Sequence, residues 1–376
     1  MRATQWAVVL SDARAGSRTL GPFSTAVTVP VRWSARYIHA MAGPRKLVIG
    51  ASGFLGSHVT RQLAQRGDDV RVLVRPTSST LALEGLDLDY HYGDVFDDAA
   101  LRAAMVGVDD VFYCVVDTRA WLRDPAPLFR TNVEGLQHVL DAAVEADLRR
   151  FVFTSTIGTI GIRHDGTPAT EADTMNWAAK GGGYIQSRVE AENLVLRYAA
   201  EQGLPAVAMC VGNTYGPGDY QPTPHGALLA AAAAGRMPVY IKGTASEVVG
   251  IEDAAAALLL AAEKGRNGER YIISERFLSA RELYETAAAA GGSKPPRFGI
   301  PLGLTYALGY AGDVAARVLR RDMELSSLSV RLMHIMSPMD HGKAERELGW
   351  QPEPIHDAIR RAAQWYREHR RASKFG

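Results

Sequence analysis

Along residues 46–211, short apolar runs alternate with longer stretches in which apolar residues recur every three or four positions. Leu47 to Ile49 is a continuous apolar run, and Phe54, Leu55, Val59 and Leu63 then fall at helical spacing. The run reads as a buried strand and the stripe as a helix packed on it. The same reading predicts strands at 46–50, 70–74, 89–92, 110–115, 150–154 and 206–211, with helices at 54–66, 98–105, 126–146 and 184–202. Such alternation implies right-handed crossovers and a parallel sheet, so the expected class is α/β, a doubly wound Rossmann sheet.

After Gly216-Pro217-Gly218 the pattern changes. Alanine-rich helices are predicted at 226–235, 252–264 and 279–290, short strands at 239–241, 247–251 and 270–273, and a Pro/Gly-rich stretch near 291–303. They are expected to form a smaller α/β lobe over the carboxyl ends of the strands, where open α/β sheets bind ligands. The domain expectation is a Rossmann unit over 45–215, with return segments near 245–273, and a substrate lobe mainly over 216–244 and 274–376.

Residues 1–44 stand apart. Arg2, Arg14, Arg18, Arg32 and Arg36 face the single acid Asp12, with scattered Ser and Thr and little periodicity. That composition imitates an organellar transit segment. The preferred alternative is a misassigned upstream start, with Met41-Ala42-Gly43-Pro44 as the natural beginning; either way disorder is expected.

Net charge is +1 over 376 residues, so no global field points to nucleic acid or an anionic membrane. Cys114 and Cys210 are the only cysteines, each inside an apolar run, and read as buried thiols in a reducing, cytoplasmic setting. The ten histidines show no metal-ligand spacing, so no metal site is expected. Residues 300–319 come nearest to a membrane span, but Pro301, three glycines, Asp313 and Arg317 interrupt them; a helix packed over the substrate pocket is expected instead.

The turn after the first strand carries the chemistry. Gly50-Ala51-Ser52-Gly53-Phe54-Leu55-Gly56 lies between a strand and a helix N-terminus, where a pyrophosphate binds. Gly50 allows the tight turn, Gly53 lets the backbone approach phosphate, and Gly56 lets helix and strand pack closely. About 20 residues on, where NAD-binding chains place a carboxylate, this chain has Arg75 followed by Thr77, Ser78 and Ser79. A guanidinium suits a 2′-phosphate, so NADP(H) is preferred and NAD(H) is second.

Tyr184 and Arg188 are i and i+4 on one predicted helix and share a face. A phenol beside a fixed cation can have a depressed pKa, which suits proton exchange with a substrate oxygen. Thr156, at a strand end, could hydrogen-bond that same oxygen.

These segments, with Gly93-Asp94, Thr131-Asn132-Val133-Glu134-Gly135, Thr154-Ser155-Thr156, Asn213 to Asp219 and Leu348-Gly349-Trp350-Gln351-Pro352, resemble the extended short-chain dehydrogenase/reductases over residues 46–371. The Val74-Arg75-Pro76 junction resembles the dihydroflavonol-reductase and 3β-hydroxysteroid-dehydrogenase-like branch more than the nucleotide-sugar epimerases. The resemblance implies that Thr156 polarises a carbonyl, Tyr184 is the general acid/base, Asp94 meets the adenine amino group and Asn132 supports the active-site helix. Val115, Val116 and the Val211–Thr214 turn would line the nicotinamide side. The expected cofactor set is thus Gly50, Ser52, Gly53, Phe54, Leu55, Gly56, Arg75, Asp94, Val95, Val115, Val116, Tyr184, Arg188, Val211, Asn213 and Thr214. Three positions depart from the family: Arg188 stands for a lysine, Val211 for a proline and Gly250 for a histidine. The family also commonly pairs two long helices about a two-fold axis. Leu136, Val139, Leu140 and Val144 on one, and Val189, Leu194 and Val195 on the other, predict a homodimer of that kind.

The preferred function is an NADP-dependent oxidoreductase interconverting a carbonyl and an alcohol on a small or medium apolar molecule. The alternative is a nucleotide-sugar epimerase or dehydratase with tightly bound NAD, which needs a basic cleft from residues such as Arg236, Lys242, Arg297 and Lys343. A third reading, favoured by Arg188, is a non-catalytic NAD(P)-binding sensor.

Overall fold

The computed structural model describes residues 44–372; the segment read as a leader or misassigned start lies almost wholly outside them. Seven parallel strands form the central sheet in the order β10-β6-β5-β4-β1-β2-β3. They are β1 (Lys46–Ile49), β2 (Val70–Val74), β3 (Asp89–Tyr92), β4 (Asp110–Tyr113), β5 (Arg150–Thr156), β6 (Ala206–Val211) and β10 (Arg270–Ile273). The order 3-2-1-4-5-6 is that of a dinucleotide-binding sheet, whose reversal at β1 opens a crevice at the carboxyl ends.

The strands are apolar on both sides because both faces are covered. Val48, Val72, Phe112, Val152 and Val207 face α1 (Phe54–Gln65) and α7 (Ile251–Lys264), through Val59, Leu63 and Leu258. Leu47, Ile49, Tyr113, Phe151 and Phe153 face α2 (Asp98–Met105), α4 (Gly135–Glu145) and α5 (Gly182–Gln202). Leu136, Val139, Leu140, Leu194 and Val195 are buried in this second layer, and only Val144 and Val189 keep partial exposure. The stripe that suggested a homodimer is therefore accounted for inside one chain.

Three differences from the sequence reading bear on the site. β4 stops at Tyr113, because its neighbour β1 ends opposite it at Ile49 and turns away at Gly50. β5 runs two residues further, since its pairing with β6 continues to Thr156 opposite Val211. The helix expected at 126–146 is split: α3 (Ala126–Phe129) leads into a π-helical stretch, Arg130–Glu134, before α4. Such stretches occur frequently at functional sites.

Beyond β6 the chain forms β7 (Asn213–Tyr215), α6 (Pro224–Ala233), β8 (Val239–Ile241) and β9 (Ala245–Gly250). After β10 come β11 (Arg276–Ser279), α8 (Ala280–Ala290), β12 (Phe298–Ile300), α9 (Leu302–Leu319), α10 (Ser327–Leu332), α11 (Gly342–Leu348) and α12 (Ile355–Ala372). A small sheet, β11-β9-β7, packs with α6, α8 and α12 around Tyr215, Leu229, Leu283, Ile359 and Tyr366. Asp219 ties α12 to this lobe by accepting from Tyr366 Oη at 2.6 Å and from the Thr223 amide at 2.9 Å. Among the described residues, no helix is long and apolar enough to cross a membrane.

Candidate active site

The β1–α1 turn has the geometry its glycines suggest. Gly50 has φ +86°, and a Cβ there would lie 2.9 Å from the Cys114 carbonyl carbon and 3.0 Å from Val115 Cγ2. A Cβ on Gly56 would lie 2.2 Å from the Gly50 carbonyl oxygen, so the helix sits on the turn closer than any side chain permits. Gly53 caps α1 without a side-chain bond, and its own amide donates to the Gly50 carbonyl at 3.1 Å. The first amides of the helix lack intrahelical partners and aim the positive end of its dipole over the turn. Ser52, Phe54 and Leu55 are partly buried around them.

Arg75 follows β2 directly and is exposed. β2 pairs in parallel with β1, Leu73 opposite Ile49, so Arg75 stands just beyond the level of the glycine turn on the adjacent strand. Its carbonyl accepts the Ser78 amide at 2.9 Å, and among the described residues its side chain has no polar partner. Asp94 follows β3, partly exposed, and accepts the Phe96 amide at 3.3 Å; Val95 is buried.

On the other side of the switch point, Val115 and Val116 follow β4, with Val116 40% exposed. Thr156 ends β5 and its Oγ1 accepts the Gly158 amide at 3.1 Å. A Cβ on Gly158 would lie 2.7 Å from Ile185 Cδ1, so this turn is pressed against the helical residue next to Tyr184. Val211 ends β6 beside Thr156, and Asn213 and Thr214 open β7, both partly buried. The sheet thus brings Gly50, Val115, Thr156 and Val211 to one edge, with Arg75 and Asp94 at its far end.

Asn132 sits buried in the π-helical stretch. Its Nδ2 donates to Ser187 Oγ and to the Asp117 carbonyl, both at 3.1 Å, and its Oδ1 accepts the Asp117 amide at 2.8 Å. This one side chain joins the loop after β4 to α5, the helix bearing Tyr184 and Arg188.

Arg188 is 1% exposed. Its Nη2 donates to the Thr154 carbonyl at 2.5 Å and its guanidinium lies 5.2 Å from the Phe153 ring centroid. Nε and Nη1 are buried and, among the described residues, without a partner. Tyr184 packs beside the cluster of Ile162, Trp177 and Ile185, which Leu332, Ile335 and Met336 also join. Burial pushes the Tyr184 phenol above its ordinary value, and the opposing pull of Arg188 is smaller. The expected depression of that pKa is therefore corrected: desolvation outweighs the cation.

Behind Thr156 lies a polar cluster that the sequence reading missed. Glu192 accepts from Ser155 Oγ, from Thr159 Oγ1 at 2.9 Å and from Cys210 Sγ at 3.3 Å, and pairs with Arg270 at 3.0 Å. A signal existed: Tyr184, Arg188 and Glu192 recur every fourth residue on one face. Cys210 is buried there, whereas Cys114 is only partly buried. Lys343, a candidate for a basic cleft, is occupied by Glu269 at 2.6 Å and the Arg270 carbonyl at 2.7 Å.

A model of the NAD dependent epimerase/dehydratase family matches residues 46–274. The chain is 30% identical to a putative dihydroflavonol 4-reductase of Synechocystis sp., over 86% of this chain and 94% of that protein. It is 31% identical to sterol demethylase protein B of Methylococcus capsulatus, over 86% of this chain and 98% of that protein. The solved structure of gox2253 superposes with TM-score 0.77 at 33% identity, over 87% of this chain and 99% of that one.

Proposed function

The chain belongs to the NAD dependent epimerase/dehydratase family, and on that premise we propose that it is an NADP(H)-dependent oxidoreductase interconverting a carbonyl and an alcohol on an apolar substrate. The observation that carries this reading is the setting of Tyr184: a partly buried phenol, one turn from a buried cation with two unused donors, in apolar surroundings.

The residues present fit a dinucleotide. The Gly50–Gly56 turn and the uncapped α1 N-terminus would hold the pyrophosphate, with Ser52, Phe54 and Leu55 around it. Arg75 would take a 2′-phosphate, and Asp94 with Val95 the adenine. Val115, Val116, Val211, Asn213 and Thr214 would border the nicotinamide, and Arg188 Nε and Nη1 would donate to its ribose. When bound, the cofactor supplies the hydride chemistry.

The protein's own part is positioning and proton transfer. Thr156 Oγ1 turns from the Gly158 amide to hydrogen-bond the substrate oxygen. Tyr184 Oη holds the proton delivered to that oxygen in reduction, and its raised pKa keeps the phenol protonated at neutral pH. Asn132 and Arg188 fix α5 against the loop after β4 and the end of β5, so that the two hydroxyls keep their relation.

A relative named as a putative dihydroflavonol 4-reductase supports reductive chemistry, and one named as sterol demethylase protein B supports an apolar substrate. Engagement of Lys343 removes one of the four cations named for the nucleotide-sugar reading and leaves Arg236, Lys242 and Arg297 exposed. Titration of the protein with NADPH and NADH, followed by a screen of apolar carbonyls against nucleotide sugars, tests the proposal. Tight NAD with turnover of a nucleotide sugar would overturn it.

A further inference from the structure

Helix α9 is apolar on two opposite sides. Thr305, Gly309, Gly312 and Ala316 form the buried side. A Cβ on Gly309 would lie 3.0 Å from Ser326, and one on Gly312 would lie 2.0 Å from the Leu325 carbonyl oxygen, so this side packs backbone to backbone on the segment leading into α10. The other side presents Leu304, Leu308, Tyr310, Val314, Val318 and Leu319, each between 47% and 75% exposed. At 100° per residue these fall on one arc that contains no charged residue; Asp313 and Arg317 lie outside it. An apolar strip along an 18-residue helix, about 27 Å long, is larger than the scattered apolar residues of an ordinary surface.

The charges at its end say what covers it. Arg317, Arg320 and Arg321 are exposed, and among the described residues none has a side-chain partner. The neighbouring acids are fewer: Asp313 accepts the Ser327 amide at 3.3 Å, Asp322 accepts the Arg123 amide at 3.0 Å, and the exposed Asp322 and Glu324 leave residues 317–324 with a net positive charge. A second copy related by a two-fold axis would bring the same apolar strip together with the same excess of arginines, not an opposite charge. We propose that the outer face of α9 docks on an anionic lipid bilayer, with the apolar strip at the acyl boundary and the arginines at the headgroups.

This inference stands on α9 alone and goes beyond the reading of the active site, yet the two surfaces are neighbours. Leu328 of α10 fills the space beside Gly182, the first residue of the Tyr184 helix, and Arg331 donates to the Lys180 carbonyl at 3.2 Å. Docking at α9 would set the apolar wall over Tyr184 beside the membrane surface.

Flotation of the full-length protein with vesicles tests the proposal. Vesicles of phosphatidylcholine containing phosphatidylglycerol should carry the protein, pure phosphatidylcholine much less, and added salt should release it. An arginine near an anionic surface contributes about fivefold, so Arg317→Gln, Arg320→Gln and Arg321→Gln together should lower partitioning on the order of a hundredfold. Leu308→Ser with Val318→Ser should abolish flotation without changing thermal unfolding, since both positions are exposed. As an independent readout, Val318→Trp should be quenched by brominated acyl chains. Failure of the unaltered protein to float with anionic vesicles, or no quenching of that tryptophan, would overturn the proposal. So would a lipid-free dimer that Leu308→Ser and Val318→Ser dissolve, which would assign the face to a second copy.

Discussion

Arg188 spends one nitrogen on the carbonyl of Thr154, at 2.5 Å, and leaves two that have no partner among the described residues, in a fully buried position. Thr154 lies two residues before Thr156, so this bond holds α5 against the strand that delivers the proposed carbonyl-binding hydroxyl. A lysine has one ammonium and no fork; it could meet a ribose or the strand with less geometric control. No carboxylate lies within ion-pair distance of Arg188 among the described residues. A buried cation in that state costs stability unless a ligand completes its hydrogen bonds.

The first prediction follows from that cost. Arg188→Met should stabilise the ligand-free protein by about 1–4 kcal/mol, the range seen when apolar side chains replace buried ion pairs, because this cation has no carboxylate to lose. The same variant should lose most of the thermal gain that NADPH gives the native protein. Thermal unfolding with and without NADPH reads both effects, and a full NADPH-induced shift in the variant would sink the assignment of Nε and Nη1 to the ribose.

Tyr184→Phe should abolish turnover of any identified carbonyl substrate while leaving NADPH affinity within about twofold, because the phenol meets the substrate and not the phosphates. Arg188→Lys should keep measurable turnover, since an ammonium keeps the charge at the ribose. Steady-state rates beside fluorescence titration separate the two roles. An unchanged rate in Tyr184→Phe would rule out the proton transfer and leave the fold and family intact.

Arg75 is exposed and, among the described residues, unpaired, so replacing it should not unfold the protein. Arg75→Asp should weaken NADPH by about 1.5–3 kcal/mol, the scale of a hydrogen bond to a charged group, while improving NADH. Binding titrations check this, and equal affinity of the native protein for the two cofactors would count against it.

Two glycines of the turn should separate structure from binding. A Cβ on Gly56 meets the Gly50 carbonyl oxygen at 2.2 Å, whereas one on Gly53 comes only to 3.3 Å of the same atom. Gly56→Ala should therefore lower stability by about 1–3 kcal/mol as the helix is pushed off the turn. Gly53→Ala should unfold nearly as the native protein does, yet bind dinucleotide more weakly because its Cβ enters the path of the phosphates. Calorimetry paired with NADPH titration would show the split; equal effects of both on stability would remove the distinction.

Much of this site was legible because its signals are local. Leu47 to Ile49, the glycine spacing and the Tyr184–Arg188 pair each depend on a few neighbouring residues, and the six main strands fell close to their predicted positions. What was not legible depends on tertiary surroundings. The π-helical stretch is bound up with contacts of Asn132 to residues of two other segments. β7, β11 and β12 are three or four residues long and exist through their pairing. The direction of the Tyr184 shift also escaped the sequence, which displays the cation but not the burial that outweighs it.

Glu247 supplies the last prediction. It is buried in β9, accepts from Ser274 Oγ and takes the Met339 amide at 2.7 Å through its other oxygen. Burial pushes its carboxyl from an ordinary 4.5 up to about 7, against those two hydrogen bonds. Because the folded value is the higher one, the unfolded chain gives up this proton first as pH rises. Stability should therefore fall from about pH 4.5 through about pH 7 and level off above it. Glu247→Gln keeps an oxygen for the Met339 amide and offers an N–H to Ser274 without a charge. It should match the native protein below pH 4.5 and exceed it at pH 8 by up to about 3 kcal/mol, from about 1.4 kcal/mol per pKa unit. Denaturant unfolding of both proteins across this range measures the difference directly; a gap that does not widen with pH would mean that Glu247 is ionised in the fold at no cost.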